Sequence, residues 1–335
     1  MPLSVRPTAA LTGAVGAGLA AVLVAGCSGS AGSATVAAAV QDGSAPPRAA
    51  AVTPTPTPTP TGPYVALGDS YTSGLKISPQ QAAEPRGCSR SAVNYPSLVA
   101  KALGLSGERF RDVSCSGART GDLAGAQETD DGSNPPQLDA LSPATRLVTV
   151  GIGGNDAGFM DVVGQCAKEN LVDALKGLVG SDRAAAPCRD SYAAADGGDQ
   201  VQRKVDAAGE KLGRQLKEIG RRAPQARVYV VGYPSLLPAD PASCVPVLGS
   251  ALTGGDLGFL VEKERQLNAM LKRRAEAAGA VFVDLAAPSA GHDMCAGEGA
   301  RWVEPPFPAH GLAAIHPNAK GQEGAAQAVL KAVRG

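Results

Sequence analysis

The stretch ALGDSYTSG, Ala66 to Gly74, decides how the rest of the chain is read. An apolar run, Tyr64-Val65-Ala66-Leu67, stops at Gly68-Asp69, and Ser70 follows. Gly-Asp before a serine suits a tight turn, so Ser70 is either a turn residue or a nucleophile offered at the end of a strand. A serine hydroxyl is a poor nucleophile at neutral pH. It needs a base within hydrogen-bond reach and donors aimed at the developing oxyanion. The choice therefore rests on what the remaining sequence supplies.

Strand-like apolar runs recur at Tyr64–Leu67, Phe110–Ser114, Leu147–Val150, Val228–Gly232 and Val281–Leu285. Helical stretches lie between them. From Val205 to Arg222, Val205, Ala208, Leu212, Leu216 and Ile219 recur at three- and four-residue steps. Leu257 to Ala278 carries Leu260, Leu267 and Leu271 on one side, and Gly321 to Val333 closes the chain with a further amphipathic segment. Alternating strands and helices predict an α/β fold, a three-layer α/β/α sandwich around a central parallel sheet of about five strands. Ligands of such sheets bind beyond the carboxyl ends of the strands, which is where Ser70 falls.

Two further strand ends carry chemistry. Gly117 in SCSGA can present an unobstructed N–H, and Asn155 in VGIGGND offers a side-chain amide. The base should be a histidine, and the chain has three. His292 in GHDMC and His310 in the Pro/Gly-rich PAHGL are read as solvated. His316 in AIHPNAKGQ is followed by proline, which forces an extended backbone at the histidine, and then by the start of a helix. Competing motifs fail. Gly68-Asp69-Ser70-Tyr71-Thr72 is not GxSxG. GIGGND, from Gly151, ends in Asp156 where a dinucleotide fingerprint needs glycine. Asp69 and Asp156 are read as structural, bonding the turns that aim Ser70 and Asn155.

The N-terminus reads as an export signal: Arg6, an apolar small-residue stretch from Ala9 to Ala25, then Val24-Ala25-Gly26-Cys27. Small residues before a cysteine resemble a bacterial lipobox, implying cleavage after residue 26 and lipidation of Cys27; an ordinary secretory signal is the alternative. Residues 27–62 are rich in Ala, Ser, Thr and Pro, too poor in bulky apolar residues to form a core, and end in Thr-Pro repeats that suit an extended stalk. The folded domain is expected over residues 63–335. Setting Cys27 aside leaves six cysteines, an even set that reads as disulfides in an exported chain, though spacing alone does not choose the pairs. Lys+Arg 31 against Asp+Glu 31 removes the basic footprint of a nucleic-acid binder. No CxxC pair or HExxH suggests zinc, and with aromatic residues at 4% no sugar platform stands out.

GDS near the start of the domain, glycine in a second block, GGND in a third and HP near the C-terminus, in that order, resemble the SGNH (GDSL-type) hydrolases, in particular the secreted actinobacterial lipases and esterases with six cysteines. The resemblance implies a flavodoxin-like fold, Ser70 as nucleophile, His316 as base, and an oxyanion hole from Ser70, Gly117 and Asn155. It also implies sequential disulfides, Cys88–Cys115, Cys166–Cys188 and Cys244–Cys295. The wider family places Asp three residues before the histidine, and this chain has Ala313 there. The resembling branch uses a backbone carbonyl, so the carbonyl of Ala313 is expected to orient His316, with Asp293 and Glu304 left open as carboxylate partners. The expected protein is an exported, monomeric esterase or lipase on the outer face of the membrane, acting on lipid-like esters without metal or cofactor. An inert surface binding lipoprotein and an acyltransferase using the same acyl-enzyme remain the other readings.

Overall fold

The computed structural model describes residue 60 and residues 62–82, 85–180, 182–248, 252–309 and 311–335. The expected signal, Cys27, nearly all of the stalk and His310 lie outside the described residues. In chain order the elements are β1 (Tyr64–Gly68), α1 (Ser70–Ser73), α2 (Tyr95–Ala102), β2 (Phe110–Asp112), β3 (Gln127–Thr129), β4 (Gly132–Asn134) and β5 (Leu147–Gly151). Next come α3 (Gly154–Ala157), α4 (Phe159–Leu178), α5 (Pro187–Ser191), α6 (Gln200–Arg222), β6 (Arg227–Val231), α7 (Val245–Leu248), α8 (Gly254–Ala277), β7 (Val281–Val283) and α9 (Ala319–Arg334).

All five strand-like runs enter one parallel sheet, in the order β2-β1-β5-β6-β7. Side chains alternate across it as the pleat requires. Val65, Leu67, Val148, Val150 and Val230 pack with Leu212, Leu216 and Ile219 of α6 and Leu267 and Leu271 of α8. Tyr64, Ala66, Leu147, Tyr229, Val231 and Val283 pack with Val99 of α2 and Val329 and Val333 of α9. The two faces follow from handedness. The chain starts at β1, steps one way to β2 through α2, then goes the other way through β5, β6 and β7. Right-handed crossovers put the connecting helices on opposite faces when the direction of travel reverses. The sheet therefore has a switch point between β1 and β5, where open α/β sheets form a crevice at the strand C-termini.

Gly68 is paired with Gly151 at that point, and the Asp69 N–H donates to the Gly151 carbonyl at 3.0 Å. A Cβ on Gly68 would lie 2.6 Å from that oxygen and 2.7 Å from Thr72 Cβ. The Gln137 side chain closes the other side, accepting from the Gly68 N–H at 2.8 Å and donating to its carbonyl at 3.0 Å. Disulfides join Cys88 to Cys115, Cys166 to Cys188 and Cys244 to Cys295, and such bonds persist in oxidising compartments. Among the described residues no helix is long and apolar enough to cross a membrane.

Gly68→Ala should therefore force β1 away from β5. Overpacking of this kind costs about 1–3 kcal/mol, read as a lower denaturant midpoint. An unchanged midpoint would mean that the two strand ends are not packed this closely.

Candidate active site

Where β1 ends, Asp69 leaves the sheet in an extended conformation, and its carboxylate accepts from the Tyr71 N–H at 2.9 Å, capping α1. Ser70 is the first residue of that helix, so its N–H has no acceptor within the helix. Its side chain is buried, and Oγ lies 2.9 Å from Nε2 of His316. The histidine arrives on the loop before α9. Ile315 takes a left-handed conformation with φ +58°, and a two-sided backbone clamp holds the loop: Glu304 N–H to His316 O and Ile315 N–H to Glu304 O, both 3.0 Å. Asn318 then caps α9 by accepting from the Gly321 N–H at 3.1 Å.

The other ring nitrogen, Nδ1, lies 2.7 Å from the carbonyl oxygen of Ala314. A carbonyl only accepts, so Nδ1 carries the proton and Nε2 is left as the acceptor for the Ser70 hydroxyl. The orienting carbonyl thus belongs to Ala314, not to Ala313 as expected. The left-handed turn at Ile315 folds the chain back so that the carbonyl two residues before the histidine meets the ring. Neither acidic side chain bonds the His316 ring. Asp293 accepts from the Cys295 N–H, and the Glu304 carboxylate is held by Asn318 and Arg301. His292 is placed apart, stacked on Trp302 with Nδ1 against the Ala300 carbonyl.

Burial pushes His316 below the ordinary histidine value of 6.5; the Ala314 carbonyl offsets this in part, and the charge of Lys76 adds to the depression. The free base, the form able to accept a proton, is therefore the resting state at neutral pH.

Gly117 and Asn155 share a cavity of about 220 Å³ with Ser70 and His316. Gly117 follows β2 with φ +78°, a conformation few other residues adopt. Asn155, at the start of α3, gives one amide hydrogen to the Ala118 carbonyl at 2.9 Å, which leaves the other for a ligand. Asp156 does not bond the turn of Asn155. It accepts from the N–H and hydroxyl of Thr120, both at 2.7 Å, and so ties α3 to the loop of Gly117. The lining also includes the apolar side chains of Leu75, Phe159, Met160, Leu236 and Leu267, with Glu264 among them.

Three contributors lay beyond the sequence reading. Tyr71 donates its hydroxyl to the Ile315 carbonyl at 2.6 Å and sets its ring 4.8 Å from that of His316. Tyr233, just past β6, accepts from the Gly154 N–H at 2.8 Å and donates to Asp69 at 2.6 Å, linking three strand ends. Burial raises the Asp69 carboxyl to about 6, with the Tyr233 hydroxyl pulling the other way. Glu264, in the cavity wall, is the third. Both Tyr233 and Glu264 left a signal: one follows a strand end, and the other interrupts the apolar row Leu260, Leu267, Leu271 at helical spacing.

An NMR titration of the ring protons should place the midpoint of His316 below 6.5. A midpoint above 6.5 would mean that the ring is solvated or paired with a negative charge.

The model of the GDSL-like lipase/acylhydrolase family matches residues 66–323. Lipase 2 of Streptomyces coelicolor is 38% identical over 262 residues, covering 77% of this chain and 81% of that protein. An esterase of Streptomyces scabiei is 33% identical over 251 residues, 70% of this chain and 73% of its own length. Among solved structures, phospholipase A1 from Streptomyces albidoflavus superposes with a TM-score of 0.63 at 28% identity, covering 82% of this chain and 99% of that one. The extracellular lipase from Streptomyces rimosus gives 0.61 at 29% identity, covering 81% and 98%.

Proposed function

Because the chain belongs to the GDSL-like lipase/acylhydrolase family and is a carboxylic-ester hydrolase, we propose that Ser70 is its nucleophile and His316 its general base. The observation that carries this is the 2.9 Å contact between Ser70 Oγ and His316 Nε2, with the opposite ring nitrogen committed to a carbonyl. Ser70 attacks the ester carbonyl as its proton passes to Nε2. The N–H groups of Ser70 and Gly117 and the free amide hydrogen of Asn155 receive the oxyanion. His316 returns the proton to the leaving alcohol, and an acyl-enzyme remains. Water, activated by the same nitrogen, then releases the acid. The Ala314 carbonyl keeps the ring in its tautomer but stabilises imidazolium less than a carboxylate would.

The apolar side chains that line the cavity suit an acyl chain, and the relatives include proteins named lipase and phospholipase A1. Acyl lipids are therefore the substrate class. We further infer that residues 1–26 direct export, that Cys27 carries the lipid anchor, and that residues 27–62 hold the domain clear of the membrane. The small-residue run before Cys27, the Thr-Pro repeats and the three disulfides support this.

Hydrolysis of p-nitrophenyl esters of graded chain length tests the reading. Ser70→Ala should lose about 10⁴-fold or more in kcat. Asn155→Ala, with its fold intact by circular dichroism, should lose about a hundredfold or more in kcat, about 3 kcal/mol of transition-state stabilisation. Full activity in the first variant would remove Ser70 from the chemistry, and full activity in the second would remove Asn155 from the oxyanion hole.

A further inference from the structure

Glu264 is the ionisable group of the cavity that neither the catalytic pair nor its scaffold uses. It stands on α8 and is 7% exposed. It lines the same cavity as Phe159, Met160, Leu236 and Leu267. Its two oxygens meet the same donor, the Leu236 N–H, at 3.1 and 3.2 Å. Among the described residues no cation pairs with it. One shared N–H leaves most lone pairs of a carboxylate unserved, whereas a neutral acid is better matched to this site.

The surroundings reinforce this. Asp293, on the loop after β7, brings a second carboxylate near it. From α1 the group near it is the phenol of Tyr71, which burial and then the charges of Asp69 and Glu264 make harder to ionise. Asp69, Tyr233 and His316 share the cavity. On its own helix, Arg265 is turned toward Glu262. Burial, with the charge of Asp293 added, pushes the Glu264 carboxyl up to about 8, and the Leu236 N–H opposes the shift.

We propose that Glu264 is a specificity-determining residue: as a neutral acid it completes a surface for an uncharged acyl chain, and as a carboxylate it turns that chain away. The proposal rests on the reading of Ser70 and His316 as the catalytic pair, which makes this cavity the acyl site. A chain lying along α8 excludes water from the side of the carboxyl that lines this cavity, so binding and protonation are linked. Once the free enzyme is ionised, each pH unit weakens binding by up to about tenfold. The enzyme–substrate complex keeps the proton, so kcat at saturation is spared.

The test measures kcat and KM for p-nitrophenyl butyrate from about pH 6.5 to about pH 9.5, corrected for spontaneous hydrolysis, in the wild type and in Glu264→Gln, which stays neutral at every pH. In the wild type KM should climb with pH, approaching tenfold per unit at the alkaline end, while kcat holds. In Glu264→Gln KM should stay level. In the wild type, an ester whose acyl chain ends in a quaternary ammonium should show no such climb. A level KM in wild type that turns over through Ser70 would overturn the assignment of Glu264 and leave the catalytic pair untouched. The same climb in the Gln variant, or with the cationic ester, would overturn it as well. Turnover surviving in Ser70→Ala would instead count against the catalytic pair.

Discussion

The hydrogen bond between Ser70 and His316 joins residues 246 positions apart, and the site exists only if both ends are held independently of it. One end is fixed by the sheet, through the Gly68–Gly151 pairing and the Asp69 cap. The other hangs on a loop secured by the Glu304 clamp and by α9. Tyr71 couples the two. Its N–H caps to Asp69, its carbonyl accepts from Gln322 of α9, its hydroxyl holds the Ile315 carbonyl, and its ring lies against His316. Gln322 also accepts from the Tyr95 N–H at the start of α2. The helix that carries the histidine loop is thus stitched to the nucleophile's own turn.

A carbonyl in place of a carboxylate behind the histidine changes the electrostatics of the pair. Among the described residues no carboxylate bonds the ring, and burial disfavours its charged form. Imidazolium must therefore be stabilised mainly by the oxyanion that forms beside it. That shifts weight onto the donors proposed at the strand ends, whose positions depend on buried groups: the Tyr233 hydroxyl between Gly154 and Asp69, and Asp156, which accepts from Thr120. The disulfide from Cys88 to Cys115 lies two residues from Gly117, which stiffens the loop that carries one of those donors.

Much of this was legible in the sequence where one physical cause dominated. The central strands β1 and β5 are short apolar runs buried on both faces, and α6, α8 and α9 show apolar residues at helical steps. The helix α4 did not, because its buried stripe is Phe159, Val162, Cys166, Asn170 and Asp173, and two of those five are polar. Leu171, Leu175 and Leu178 meanwhile face solvent and blur the period. The β3–β4 hairpin is three residues a side and polar, so alternation had nothing to mark. At the site, residue types at strand ends pointed to Ser70, Gly117, Asn155 and His316. The acceptor behind the ring was placed one residue too early because a left-handed turn at Ile315 is not a property that isoleucine advertises. Tyr71 acts through contacts between distant elements, which no local pattern records, and Tyr233 left no more than its place after a strand end.

The account stands or falls on whether Ser70 is activated by His316. The most direct measurement is labelling with an alkyl organophosphonate, followed by intact mass and peptide mapping, in the wild type and in His316→Ala. A single adduct on Ser70, formed in step with loss of esterase activity and far more slowly without the histidine, is the predicted result. Turnover that persists with Ser70 unlabelled, or labelling that is as fast in His316→Ala, would contradict it.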